Sequence, residues 1–160
     1  MKALFYRGIL TAAAATCLSI GSASLAQAVS CSDASLHGKY GQSIAGEFLG
    51  TPGGAVPQNG VAMTDFDGHG GLTQVDYVVI NGSPTGTGFQ SETGTYSVNS
   101  DCTGTLTFAY SDGTQITLQL VVVDHGNQFR TVVSKLVLLG KAQSVNIASS
   151  GVRVGDADRK

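Results

Sequence analysis

Basic residues are scarce in this 160-residue chain, with nine Lys and Arg against eleven Asp and Glu. They are also scattered, and three of them (Arg153, Arg159 and Lys160) fall in the last eight positions. Phosphate recognition needs clustered cations, so nucleic acid and anionic lipid are excluded as partners. Proline is scarcer still, three residues against 22 glycines, which fits a sheet with many tight turns and not a disordered tail. No G-x-S-x-G elbow carries a serine nucleophile; Gly82-Ser83-Pro84-Thr85-Gly86 has its serine one place off and a proline in the way. The three histidines, His37, His69 and His125, are never spaced as a pair on one strand, and two lie in predicted turns. No cofactor is implied and no catalytic residue is assigned.

The first 28 residues hold a basic Met-Lys start, Arg7, an apolar run from residue 8 to about 20, and Ala26-Gln27-Ala28. A charged n-region, a short h-region and a small-x-small cut site are the parts of a secretory signal peptide. The run is broken by Thr11, Thr16 and Ser19 and is shorter than the ~20 residues a membrane span needs. Thr16 also stands where lipoprotein processing at Cys17 requires a smaller residue. Cleavage after Ala28 of a bacterial precursor is therefore expected, leaving 132 residues, no transmembrane segment and a secreted or periplasmic protein. Lys2 and Arg7 leave with the leader, so seven basic residues face eleven acids and the formal charge becomes −4. Cys17 leaves too. The remaining Cys31 and Cys102, in an oxidising compartment, are most simply a disulfide that pins the mature N-terminus to the sheet.

From residue 38 onward, short runs of Val, Thr, Tyr, Phe and Ile alternate with Gly, Asp, Asn and Ser clusters, and no helical window stands out. Val75, Tyr77 and Val79 share one phase, with Gln74 and Asp76 on the other; Leu106, Phe108 and Tyr110 oppose Thr105 and Thr107. Ile116, Leu118, Leu120 and Val122 oppose Gln115, Thr117 and Gln119. Period two with one wet face predicts an all-β, antiparallel sheet over one core. Asp67-Gly68, Asp112-Gly113 and Asp124-His125-Gly126-Asn127 supply hairpin turns. The expected strands are 38–48, 58–66, 72–81, 93–100, 103–110, 114–124, 127–137 and 141–147. Eight such strands make an up-and-down meander that closes into a small barrel; a β-sandwich is the alternative. The domain is expected over 29–149, with a polar tail at 150–160. Residues 120–123 are apolar on both faces, so that strand end is expected to be covered on both sides or to lie in an interface.

Two connections, 50–60 and 81–92, are long and rich in Gly. Alternating hairpins put both at one end of the barrel, the expected mouth of any binding site. Asp65-Phe66-Asp67-Gly68-His69-Gly70-Gly71 matches part of a calcium loop at Asp65, Asp67 and Gly70, with Asp76 at the twelfth place. His69 occupies an oxygen-ligand position, and Asp76 falls ~13 Å up the returning strand. A glycine-rich turn capped by Asp67 is the plainer reading, so no metal is assigned. The chain's two glutamates, Glu47 and Glu92, each lie near a long loop and are candidates to line the mouth, against the default of solvated carboxylates. Phe66, Tyr77, Tyr96, Phe108, Tyr110 and Phe129 read as inward. Core filling is their default role, and Tyr77, Tyr96 and Tyr110, whose hydroxyls need partners inside, are the candidate pocket anchors.

Cys31 followed by Gly38-Lys39-Tyr40 resembles the opening of avidin-type and lipocalin-type barrels, in which a G-x-W motif begins the first strand. Here the aromatic is Tyr40, and the absence of tryptophan removes any implication of biotin binding. Residues 38–142 resemble a group of small exported bacterial proteins of unknown function. The likeness is carried by Gly38-Lys39-Tyr40, by Phe66-Asp67-Gly68-His69-Gly70-Gly71-Leu72, and by Gly94-Thr95-Tyr96-Ser97-Val98-Asn99-Ser100-Asp101-Cys102-Thr103-Gly104-Thr105. The resemblance implies a calycin-like or allene-oxide-cyclase-like barrel and transfers no activity. Three functions remain open: a noncatalytic barrel binding a small apolar ligand or a surface partner, a cyclase or isomerase using one carboxylate, and a structural envelope protein.

Overall fold

The computed structural model describes residues 30–155. The leader read at 1–28, with Cys17, and the last five residues lie outside the described residues. Ten strands follow one 3-10 turn at Asp33–Ser35: β1 (His37–Phe48), β2 (Val56–Asp67), β3 (Gly71–Ile80), β4 (Ser83–Pro84), β5 (Gln90–Val98), β6 (Thr103–Ala109), β7 (Gln115–Val123), β8 (Gln128–Leu138), β9 (Lys141–Gln143) and β10 (Val145–Arg153). Eight of them are long. Each pairs antiparallel with the next, and β10 closes the sheet by pairing with both β8 and β1. The result is an up-and-down barrel of eight strands, with β4 and β9 as short additions in two connections. Closure leaves no pair of open sheet edges to template association, and the two-layer sandwich is excluded.

The final strand departs from the sequence expectation. Residues 141–147 split into β9 and the start of β10, and the chain expected to form a tail from residue 150 stays in the sheet to Arg153. Its residues are small because their neighbours are large. Gly151 pairs with Phe129, and a side chain at Gly151 would collide with the Phe129 ring. Ala148-Ser149-Ser150-Gly151 looks like a tail in sequence and is a strand shaped to an aromatic neighbour.

A bulge keeps β8 in phase. Thr117 pairs with Lys135 and Leu118 with Val133, so Ser134 is the extra residue. One inserted residue switches the strand's parity. Thr131 and Val133 face inward before it, and Leu136 and Leu138 after it.

One end of the barrel is filled. Phe66 packs edge-on against Tyr40, Tyr96 and Phe129, with ring centroids 5.4, 4.9 and 5.5 Å away. Leu36, fully buried, inserts beneath them. The segment carrying Leu36 crosses the end of the barrel and is fastened at several points. The Cys31–Cys102 disulfide spans 71 residues of sequence. The Val98 amide donates to Asp33 Oδ1 at 2.7 Å, and the Tyr96 hydroxyl lies 3.0 and 2.9 Å from the carbonyls of Asp33 and Leu36. Arg153 completes the seal: its Nη2 donates to Tyr40 Oη at 2.7 Å and to the Gly126 carbonyl at 3.0 Å. Gly126 adopts φ +84° and has no room for a Cβ against the Ser35 carbonyl, so glycine is required there.

The outer face also carries exposed apolar side chains. Val61, Met63 and Val75 lie exposed on β2 and β3, beside Tyr77 and Phe89, whose rings are 5.9 Å apart. Val121 is 44% exposed, so of the two expectations for residues 120–123, covered on both sides or lying in an interface, the first does not hold.

Candidate functional site

The other half of the barrel is hollow. Strictly alternating directions place connections 49–55, 81–89, 110–114 and 139–144 at one end, as expected for the two long loops. Beneath them a cavity of about 370 Å³ extends down to the filled end. Its walls are mainly aliphatic and aromatic: Ile44 and Phe48 from β1, Leu106 and Phe108 from β6, Ile116 and Leu118 from β7, and Ile147 from β10. Ile80, Thr85 and Leu138 stand at the mouth. The mouth loops carry only Asp112 and Lys141 as charged residues, among the described residues.

Across the cavity floor runs a band of inward polar side chains joined by hydrogen bonds. Thr131 Oγ1 lies 2.6 Å from Ser149 Oγ, and Gln42 Nε2 donates to Ser149 Oγ at 2.7 Å. The Thr64 hydroxyl sits between Gln42 Oε1 (3.0 Å) and Gln74 Oε1 (2.7 Å), and its single proton serves one of them at a time. Gln74 Nε2 then donates to Glu92 Oε2 at 3.2 Å. The band crosses β8, β10, β1, β2, β3 and β5. Buried polar groups need such partners, and this set is held in one orientation by being shared.

The band ends at two carboxylates. On β3 and β5, Gln74 pairs with Glu92 and Asp76 with Gln90, so Asp76 and Glu92 stand on neighbouring strands and both line the cavity. Burial, and then the charge of Glu92, push the Asp76 carboxyl up to about 6 from its usual 3.8; a hydrogen bond from Gln74 offsets part of this. Tyr110 follows Phe108 on the inward phase of β6, next to Glu92. Burial and the Glu92 carboxylate raise its phenol well above the ordinary tyrosine range. Its hydroxyl is buried and makes no hydrogen bond of normal geometry.

The candidate residues read from the sequence separate clearly. Glu92 lines the cavity, and Tyr110 sits beside it. Tyr96 belongs to the filled end, its hydroxyl committed to the N-terminal segment. Glu47 lies on the outward phase of β1, between Gly46 and Phe48 of the inward one. Tyr77 is also outside, and the expected orientation of β3 is reversed: Leu72, Gln74, Asp76, Val78 and Ile80 face in, and Val75 and Tyr77 face out. Leu72 opposite Phe66 sets this parity, because both are core residues and a one-residue slip would expose every inward side chain. Gln74, Gln42, Thr131 and Ser149 were not singled out by sequence, and Asp76 only as the twelfth place of the calcium-loop match. Their polarity marked them as outward, and only the position of Leu72 hinted otherwise.

The calcium-loop reading dissolves. Asp67 Oδ1 accepts the amides of His69 (2.7 Å) and Gly71 (2.9 Å), which hold its carboxyl below the usual range. Asp67 caps the turn, Asp65 lies on the opposite phase of β2 from Thr64 and Phe66, and Asp76 is inside the barrel. Among the described residues no three His, Cys, Asp or Glu side chains are grouped to hold a metal ion, and no helix is long and apolar enough to cross a membrane.

No protein-family model matches the chain, and no curated protein shows significant similarity to it.

Proposed function

We propose that this is an exported, calycin-like barrel that binds a small, largely apolar ligand in its hollow half. The observation that carries the reading is the cavity itself. One end of the barrel is packed with four interlocked aromatic rings, while the other end encloses about 370 Å³ behind glycine-rich loops that carry only Asp112 and Lys141 as charged residues. Binding sites for small molecules are typically apolar chambers of this size class with a few convergent polar groups. The polar band supplies those groups and fixes their directions. The disulfide fits an oxidising compartment, as export requires. Native mass spectrometry of the protein purified from cells that export it tests the reading. The expected result is an adduct of one small molecule, absent from a Val78→Trp variant whose indole fills the chamber. Bare protein that also fails to bind 1-octanol, n-octylammonium and octanoate by calorimetry would refute it.

A second reading has its own observation. Asp76, raised toward neutrality in an apolar chamber beside a second carboxylate, has the properties of a general acid or base, as an isomerase or cyclase requires. Chromatography of the molecules carried by wild-type and Asp76→Asn protein separates the two. A binder carries the same molecule in both; an enzyme accumulates a different one in the variant.

A further inference from the structure

The charges lining the chamber are all of one sign. Among the described lining residues, Asp76 and Glu92 are the only ionisable ones bearing charge, and no Lys, Arg or His joins them. Cross-strand register makes them neighbours: Gln74 lies opposite Glu92, and Asp76 opposite Gln90. An ionised carboxylate offers about four acceptor positions. Glu92 fills one, with the neutral amide of Gln74. Beyond Glu92, the buried Tyr110 hydroxyl lies close to that carboxylate but makes no hydrogen bond of normal geometry. The hydrogen-bonded band therefore ends in unmet acceptor capacity and uncompensated negative charge, at the edge of an apolar space.

We propose that the ligand is a lipophilic monocation, an apolar body bearing one protonated amine, with the ammonium seated at Asp76 and Glu92 and the body against Ile44, Leu106, Ile116 and Ile147. This rests on the reading of the chamber as a binding site and adds the chemical class of its ligand. A neutral apolar ligand would dry both carboxylates without supplying a counter-charge, which is costly in a low-dielectric space. An anion would add repulsion. An ammonium group offers three donors and a positive charge, and meets both deficits at once. Burial first, and then the charge of Glu92, raise the Asp76 carboxyl, as expected of an acid in an apolar wall with no cation beside it.

Three probes with the same apolar tail separate the possibilities: n-octylammonium, 1-octanol and octanoate, each titrated calorimetrically at pH 7.5 below its micellar concentration. The expected order is n-octylammonium at least tenfold tighter than 1-octanol, with octanoate weakest. In an Asp76→Asn/Glu92→Gln double variant the ratio of amine to alcohol affinity is expected to fall toward one. The alcohol serves as the reference within each protein, so loss of fold is not mistaken for loss of selectivity. If 1-octanol binds as tightly as n-octylammonium, or octanoate binds more tightly, the charge assignment is overturned while the chamber remains a binding site. If none of the three binds, the chamber reading fails and takes this proposal with it.

Discussion

Asp76 shows how a residue's role is set by the sheet and not by its sequence neighbours. In the run from Leu72 to Ile80 two apolar phases compete, and the one containing Val75, Tyr77 and Val79 looks the more hydrophobic. The structure turns the other phase inward because Leu72 is locked opposite Phe66. A polar interior defeats the period-two reading wherever it lines a cavity, so Asp76 and Gln74 were illegible for the same reason that they matter. The pH dependence follows from the direction of the shift. The native Asp76 carboxyl, at about 6, holds its proton more tightly than the unfolded chain at 3.8. Between about pH 4 and 6 this group therefore lowers stability as pH rises. Asp76→Asn removes that slope. Its stability relative to wild type is expected to increase from pH 4 to 7, by on the order of 1 kcal/mol once solvent screening of a half-buried group is allowed for. Denaturant titrations at pH 4, 5, 6 and 7 measure it, and a flat difference would count against the buried pair. At the opposite end, Gly151→Val is expected to cost about 1–3 kcal/mol or more by driving a side chain into the Phe129 ring, read as a drop in denaturation midpoint.

At the scale of elements, most hairpins were legible because their turns carry Asp-Gly or Asn pairs between apolar runs. Asp112-Gly113 joins β6 to β7, and the turn at 124–127 joins β7 to β8, as read. The last strand was read only in part: the expected 141–147 covers β9 and the start of β10 and misses the rest of β10 to Arg153. β10 presents Ser149 to the polar band and Gly151 to Phe129, so it has few apolar residues with which to announce itself. The β8 bulge was missed too, since an extra Ser134 is invisible until its partner strand is known. The N-terminal segment was legible through its cysteine. Joining residues 71 apart, the Cys31–Cys102 bridge stabilises the fold by about 4 kcal/mol on the chain-entropy model. A Cys31→Ser/Cys102→Ser variant is expected to lose up to that amount and to exchange amide hydrogens faster first around residues 31–36 and 98–102. Because the bridge lies at the filled end, 1-octanol binding at the other end is expected to persist under native conditions. Calorimetry beside hydrogen exchange checks both halves of this statement.

For the whole molecule, closure was foreseeable and hollowness was not. Eight strands of this spacing can be filled by their own side chains, and the aromatics counted in the sequence seemed enough to do so. They are unevenly distributed: Tyr40, Phe66, Tyr96 and Phe129 crowd one end, and Tyr77 lies outside. The remainder of the barrel is left with Phe48, Phe108 and mainly aliphatic side chains around a space, and that asymmetry is a property of three-dimensional register. The most direct test is a methyl-resolved NMR titration with 1-octanol. Shifts are expected at Ile44, Val78, Ile116, Leu118 and Ile147, with Leu36, Leu72 and Val122 unmoved. Shifts confined to the outer methyls of Val61, Val75 and Val121, or no shifts at all, would contradict an internal binding chamber.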